Sequence, residues 1–137
     1  MTKVRMSTEL DVSSQEVWDL IGGFNALPDW HPAIEKSELE KAGSMRRLSL
    51  VGGGTIIEKL EKKDDHNRIY SYSIIDSPLP VANYVATISV TDLGQGKTKV
   101  EWSSEFKPSG ASETDAVKVI QGIYQAGLDN LKKLLGG

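Results

Sequence analysis

The stretch SETDAVKVIQGIYQAGLDNLKKLL, residues 112–135, decides the fold. Val117, Ile120, Tyr124, Leu128, Leu131 and Leu135 recur at helical spacing, with Ile123 and Leu134 alongside, so one side of a long helix is apolar. Ser112 followed by Asp115 is a start signal, and Gly136 and Gly137 close the pattern. At 1.5 Å per residue such a helix is roughly 36 Å long, and a ten-residue strand is roughly 33 Å. The helix can therefore cover a whole sheet face.

Upstream lies the sheet to be covered. Residues 33–107 read as strands broken by turn signals at Ala42–Ser44, Gly52–Gly54, Asp64–Asn67, Ser77–Pro80 and Gly94–Gly96. Six strands with short turns imply an antiparallel meander. Residues 3–12 alternate polar with apolar and add a seventh. Ser13 and Glu16 then form a capping box, and Val17, Leu20 and Ile21 give a short helix its apolar stripe. Gly22 and Gly23 are expected to end that helix in a left-handed turn. Residues 24–32 carry two prolines and read as a single-turn segment. The pattern predicts an α+β fold in one domain, 1–137: a seven-stranded curved antiparallel sheet around a long C-terminal helix, with short helices after the first strand.

Face alternation predicts the registers, because a one-residue slip would turn every apolar side chain to solvent. Leu50 is expected opposite Ile56, and Leu48 opposite Glu58. Ile56, Glu58 and Leu60 are expected opposite Ile74, Tyr72 and Tyr70. Tyr72 then meets Ala86 and Ile74 meets Tyr84, while Tyr84, Ala86, Ile88 and Val90 meet Phe106, Ser104, Trp102 and Val100. The second strand is polar on both faces and its register stays open. The inner face so assembled holds Tyr70, Tyr72, Tyr84, Trp102 and Phe106, with Glu58 among them, diagonal to Arg46. A carboxylate on an aromatic face is costly unless paired or wet. Glu58, Tyr72 and Arg46 are therefore candidates for orienting a polar ligand group, and Glu58 and Tyr72 are the candidate catalytic pair. Burial should raise the Glu58 pKa if Arg46 points outward, and pairing should win if Arg46 folds inward. Trp30, Ile120 and Tyr124 complete the expected cavity wall. His31, held extended by Pro32, reads first as part of a packed turn.

Other function classes recede. The net charge of −3 does not suit a nucleic-acid surface. With no cysteine, thiol catalysis and Cys-based zinc sites are excluded. The N-terminus lacks the apolar core of a signal peptide, and no stretch is apolar enough to span a bilayer, so a cytoplasmic protein without membrane insertion is expected. Gly96-Lys97-Thr98 resembles the end of a phosphate loop, but Thr91 stands where the earlier glycine belongs and a strand follows. His66 in Asp64-Asp65-His66-Asn67 reads as a solvated turn rather than a metal site. No metal and no cofactor are expected.

The element order resembles the START-like, or SRPBCC, superfamily, whose architecture is called helix-grip. Trp30-His31-Pro32, the run from Gly53 to Glu58, Ser77-Pro78-Leu79-Pro80-Val81 with Tyr84, and the run from Gly122 to Leu131 look similar to its polyketide cyclase/dehydrase-type branch. Members of that superfamily bind lipids, hormones and polyketides, and only some catalyse, so the resemblance implies a fold and a cavity rather than a reaction. It also implies a cavity mouth ringed by the 52–54 tip, the 77–80 tip and the 108–112 connection. Gly53, Gly54, Pro78 and Leu79 are the gate positions. The plant abscisic-acid receptors use such tips as gate and latch, but Ser-Pro-Leu-Pro is not the receptor arrangement.

Three functions follow in order. The first is binding of a small, mostly apolar ligand (lipid, aromatic or polyketide-like) between sheet and helix. The second is a cofactor-independent cyclase/dehydratase-like enzyme using Glu58 and a tyrosine. The third is a protein-interaction module whose cavity is filled by its own side chains. Cavity volume separates the third from the others.

Overall fold

The computed structural model describes residues 1–136. Strand β1 (Thr2–Leu10) leads into helix α1 (Ser14–Ile21) and the one-turn helix α2 (Leu27–Trp30). Six strands follow: β2 (Ile34–Glu40), β3 (Met45–Leu50), β4 (Thr55–Asp64), β5 (Ile69–Asp76), β6 (Val81–Gly94) and β7 (Lys97–Pro108). Helix α3 (Glu113–Leu135) closes the fold. All seven strands form one antiparallel sheet, ordered β1-β7-β6-β5-β4-β3-β2. Only the α1–α2 crossover departs from the meander, carrying the chain from one edge to the other. The seven-stranded curved sheet gripping a C-terminal helix is the architecture expected from the sequence.

Local chemistry accounts for the ends of the helices. The Ser13 and Ser112 hydroxyls accept from the N–H groups of Glu16 and Asp115, each at 3.2 Å. The end of α1 differs from expectation. Gly22 is right-handed, with φ −74°, and glycine is needed there for space: a Cβ would lie 2.5 Å from Trp18 Cε2. Gly136 does end α3 in the left-handed conformation, with φ 68°. Gly137 lies outside the described residues.

Helix α3 buries Ala116, Ile120, Tyr124, Gly127, Leu128 and Leu131 and lies chiefly along β1 and β7. Gly127 is the point of closest approach, since a Cβ there would meet His31 Cδ2 at 2.7 Å, Trp102 Cζ3 at 3.0 Å and Trp30 Cζ3 at 3.1 Å. Leu134 stays exposed.

Tyr72 opposite Ala86, and Ala86, Ile88 and Val90 opposite Ser104, Trp102 and Val100, are the pairings expected, whereas the β6 bulge takes Tyr84 out of its expected pairing with Ile74 and Phe106. Two other registers are shifted by two residues. Leu48, not Leu50, faces Ile56; Arg46, not Leu48, faces Glu58; and Glu58 faces Ile74. A two-residue slip keeps every side chain on its face, so alternation is blind to it. Bulges in β4 near Glu58 and Leu60, and in β6 between Ala82 and Val85, add irregularity that alternation does not register either. In the β6 bulge Asn83 takes a left-handed conformation, φ 53°, and both Val81 and Tyr84 turn toward the core.

Candidate functional site

Because Arg46 and Glu58 are cross-strand neighbours on the concave face, both are buried, at 0% and 4% exposure. Arg46 Nε donates to Glu58 Oε1 at 2.8 Å, and Arg46 Nη2 lies 2.7 Å from the same oxygen without a well-aligned hydrogen bond. Arg46 Nη1 donates to the Phe24 carbonyl at 2.7 Å. The guanidinium carbon lies 4.3 Å from the Phe24 ring centre and 4.9 Å from that of Tyr72. This enclosure replaces the hydration that the cation gives up. Both guanidinium contacts thus fall on Oε1, and Oε2 makes no hydrogen bond among the described residues.

That asymmetry sets the electrostatics. Burial pushes the Glu58 carboxyl above the ordinary carboxylate range, with Arg46 pulling the other way. Pairing was expected to prevail with Arg46 folded inward; it does not, because burial of the carboxyl outweighs the attraction of Arg46. Burial opposes the charge of Arg46 too, but Glu58 together with Tyr70 and Tyr72 outweighs it and keeps the guanidinium ionised. Burial first, then the Glu58 charge, pushes the Tyr72 phenol well up, so Tyr72 is a neutral donor and no base. Burial does the same to Tyr84.

A chain of hydroxyls runs beside the ion pair. Trp102 Nε1 donates to the Tyr72 hydroxyl at 3.0 Å, and the Tyr84 and Tyr124 hydroxyls are hydrogen-bonded to each other. Trp102 stacks on Tyr124 with ring centres 4.3 Å apart. The Tyr72 hydroxyl is also within hydrogen-bonding reach of that of Tyr84, so Tyr72, Tyr84 and Tyr124 form one chain of hydroxyls. The Tyr70 hydroxyl and the Trp30 indole N–H are buried without partners.

Glu58, Tyr72, Tyr84 and Trp102 line a cavity of about 30 Å³, close to the volume share of about one liquid water. Leu48, Ile56, Ile74, Leu79 and Ile123 supply apolar walls. The open cavity envisaged between sheet and helix is therefore almost filled by the protein's own side chains. Larger hollows of about 400 and 520 Å³ are open surface grooves near Lys3 without a converging buried polar set. Of the other nominated positions, Arg46 stands behind Glu58, Phe106 behind Tyr84 at 6.1 Å, and Trp30 behind Trp102 at 5.4 Å. Ile120 and Tyr124 belong to the buried face of α3, whereas Ile123 reaches the cavity.

His31 also lines the cavity, with both nitrogens engaged. Its Nε2–H donates to the Ile123 carbonyl at 2.7 Å, and its Nδ1 accepts from the Ala33 N–H at 3.1 Å. Burial lowers its pKa, so the ring is neutral. His31 is thus packed turn and cavity wall at once, where Trp30-His31-Pro32 offered the two roles as alternatives and the packed turn as the first.

Among the gate positions Leu79 reaches the cavity. A Cβ on Gly54 would lie 3.9 Å from Pro78 Cγ, so the two tips meet. Gly53 has φ 106° and open space around the position of a Cβ. The 108–112 connection joins them through the Ser109 N–H, which donates to the Pro80 carbonyl at 3.0 Å. Near α1, the carboxylate of Asp64 is spent on the N–H groups of His66 and Asn67, both at 3.0 Å, in a turn. No helix among the described residues is long and apolar enough to cross a membrane.

Residues 1–136 match the family model described as polyketide cyclase / dehydrase and lipid transport. The chain belongs to this family. The protein XoxI from Bacillus cereus is 43% identical over 98% of this chain and 96% of its own, with a TM-score of 0.96. A START superfamily protein from Mycobacterium smegmatis gives a TM-score of 0.81 at 15% identity, over 98% and 97% of the two chains. The Zhui aromatase/cyclase from a Streptomyces species gives 0.80 at 15%, over 98% and 93%. At that identity the last two likenesses show a shared fold, the START-like helix-grip.

Proposed function

We propose that this protein binds a small, mostly apolar molecule at the Glu58–Tyr72–Tyr84 cavity and that the bound state is larger than the closed one described above. One observation carries the reading: the Glu58 carboxylate, with one oxygen unmatched by any donor, and a chain of tyrosine hydroxyls with a proton to spare line one mostly apolar void. A core built only to be solid would satisfy or omit such groups, since each unpaired one costs about 1–3 kcal/mol. The mouth supports the reading as well. Leu79 lines the void from a short proline-flanked tip, beside three successive glycines with positive φ. Family membership points the same way, toward lipid or polyketide-like ligands.

An enzyme remains the second reading, favoured by the raised Glu58 carboxyl beside a neutral Tyr72 donor. In that reading Glu58 is the acid–base group and Tyr72 polarises the substrate. Gentle mass spectrometry of the purified protein, with a thermal-shift screen of lipids and aromatics, tests binding. A co-purified apolar molecule or a saturable rise in Tm supports it. An empty protein with no Tm response to any member of the screen sinks it in favour of a filled interaction module.

A further inference from the structure

The charge balance and unspent hydrogen-bonding capacity of the cavity specify the polar end of its ligand, an inference that rests on the binding reading. We propose that the cavity selects an uncharged apolar molecule ending in a hydroxyl, an alcohol or phenol, over a free carboxylate or an amine of the same shape.

The argument begins with charge. Arg46 and Glu58 form a net-neutral buried pair, with Glu58 lining the cavity and Arg46 behind it. A ligand ion of either sign would be desolvated with no uncompensated countercharge to meet it, which is the most expensive burial there is. An ammonium at Oε2 would share that carboxylate with a guanidinium already 2.7 Å from Oε1. A ligand carboxylate would face Oε2 directly, and like charges at close range in a site of low dielectric repel strongly.

The hydrogen-bond inventory then selects among neutral groups. Glu58 Oε2 is an acceptor without a donor, and the Tyr72–Tyr84–Tyr124 hydroxyl chain, to which Trp102 donates, has three protons for two links and so one more to give. A single hydroxyl donates once and accepts twice, so it can satisfy both unpaired groups at once. An ether or ketone leaves Oε2 unpaired, and a hydrocarbon leaves both groups so. His31 does not compete, because both its nitrogens are spent. Sites that hydrogen-bond a substrate hydroxyl discriminate sharply against analogues lacking it, for the same reason.

The test uses four molecules of one shape on the intact protein at pH 8: 4-butylphenol, butylbenzene, 4-butylbenzoate and 4-butylbenzylamine. Dissociation constants come from calorimetry or from NMR shifts. The phenol should bind at least tenfold more tightly than each of the others. Tyr72→Phe should cost the phenol roughly tenfold and leave butylbenzene unchanged. Glu58→Gln, which leaves Arg46 uncompensated and offers an amide donor, should raise benzoate affinity at least tenfold. If that variant does not fold, the four-ligand series on the parent decides alone. Benzoate or amine binding as tightly as the phenol overturns this inference while leaving the cavity reading intact. Failure of all four to bind overturns both.

Discussion

Along β1 and β7, α3 presses Ile120, Tyr124 and Leu128 into the sheet, and Gly127 lets three aromatic rings close on its backbone. Across β3, β4 and β5 the same concave face carries a buried ion pair, tyrosine hydroxyls and a void of about 30 Å³. The first region is stabilised by apolar burial and shape, which favour one solid arrangement. In the second, charges and hydroxyls are held at fixed positions at a cost in desolvation, which a fold alone does not require. The difference sets the proposed site apart: it lies in the half that gives up stability.

The largest effect should come from putting a charge into the solid half. Ile120, 1% exposed, changed to Asp leaves an unpaired carboxylate in the core. The variant should show no cooperative unfolding transition by circular dichroism, and parent-like melting would show that the α3 face is misassigned. The ion pair should behave differently. Glu58→Leu or Arg46→Met alone should each cost about 3–5 kcal/mol in urea unfolding, while the double variant should be about as stable as the parent. A double variant no better than either single would mean that the pair holds up the fold, and the contrast between the halves would fail.

Gly127→Ala should cost about 1–3 kcal/mol, as overpacking does, because the new methyl meets His31, Trp102 and Trp30 together. His31 gives a smaller, pH-dependent effect. Its folded pKa lies below the ordinary 6.5 because the ring is buried. The unfolded chain therefore takes up the proton first as pH falls. Its contribution to stability is full above about pH 6.5 and declines below it, until the folded ring also protonates. Stability measured in urea from pH 8 to 5 should follow that course, and His31→Gln should flatten it. The smallest effect on stability should be that of Leu79→Ala at the mouth, about 1 kcal/mol or less, since the side chain is only half-buried. It should nonetheless enlarge the cavity and speed ligand association in stopped flow, and unchanged association would remove Leu79 from the gate.

The two halves also differ in how well the sequence discloses them. The apolar periodicity of α3 and the aromatic alternation of β5 to β7 sufficed for the fold and for two registers, because one face is strongly apolar there. In β3 and β4 the alternation chose the correct face but not the register, since Leu48, Leu50 and Ile56 satisfy it equally well in two alignments. A stronger signal was present in the opposite charges of Arg46 and Glu58. Two ions on one apolar face should stand directly opposite each other, and that requirement alone gives the observed pairing. Glu58, Tyr72, Tyr84 and Trp102 were legible as inner-face residues. The contribution of Ile123, and the tilt that brings it rather than Ile120 to the cavity, depends on how α3 is rotated against β1. No one-dimensional pattern carries that.

The central claim is that the void at Glu58 opens to admit a ligand. A titration of methyl-labelled protein with 4-butylphenol, followed by NMR, tests it most directly. The account predicts saturable shifts at Leu48, Ile56, Ile74, Leu79 and Ile123, with Leu128 and Leu131 of the solid half unmoved. Absence of any shift, or shifts confined to exposed methyls such as those of Val85 and Leu93, would contradict it.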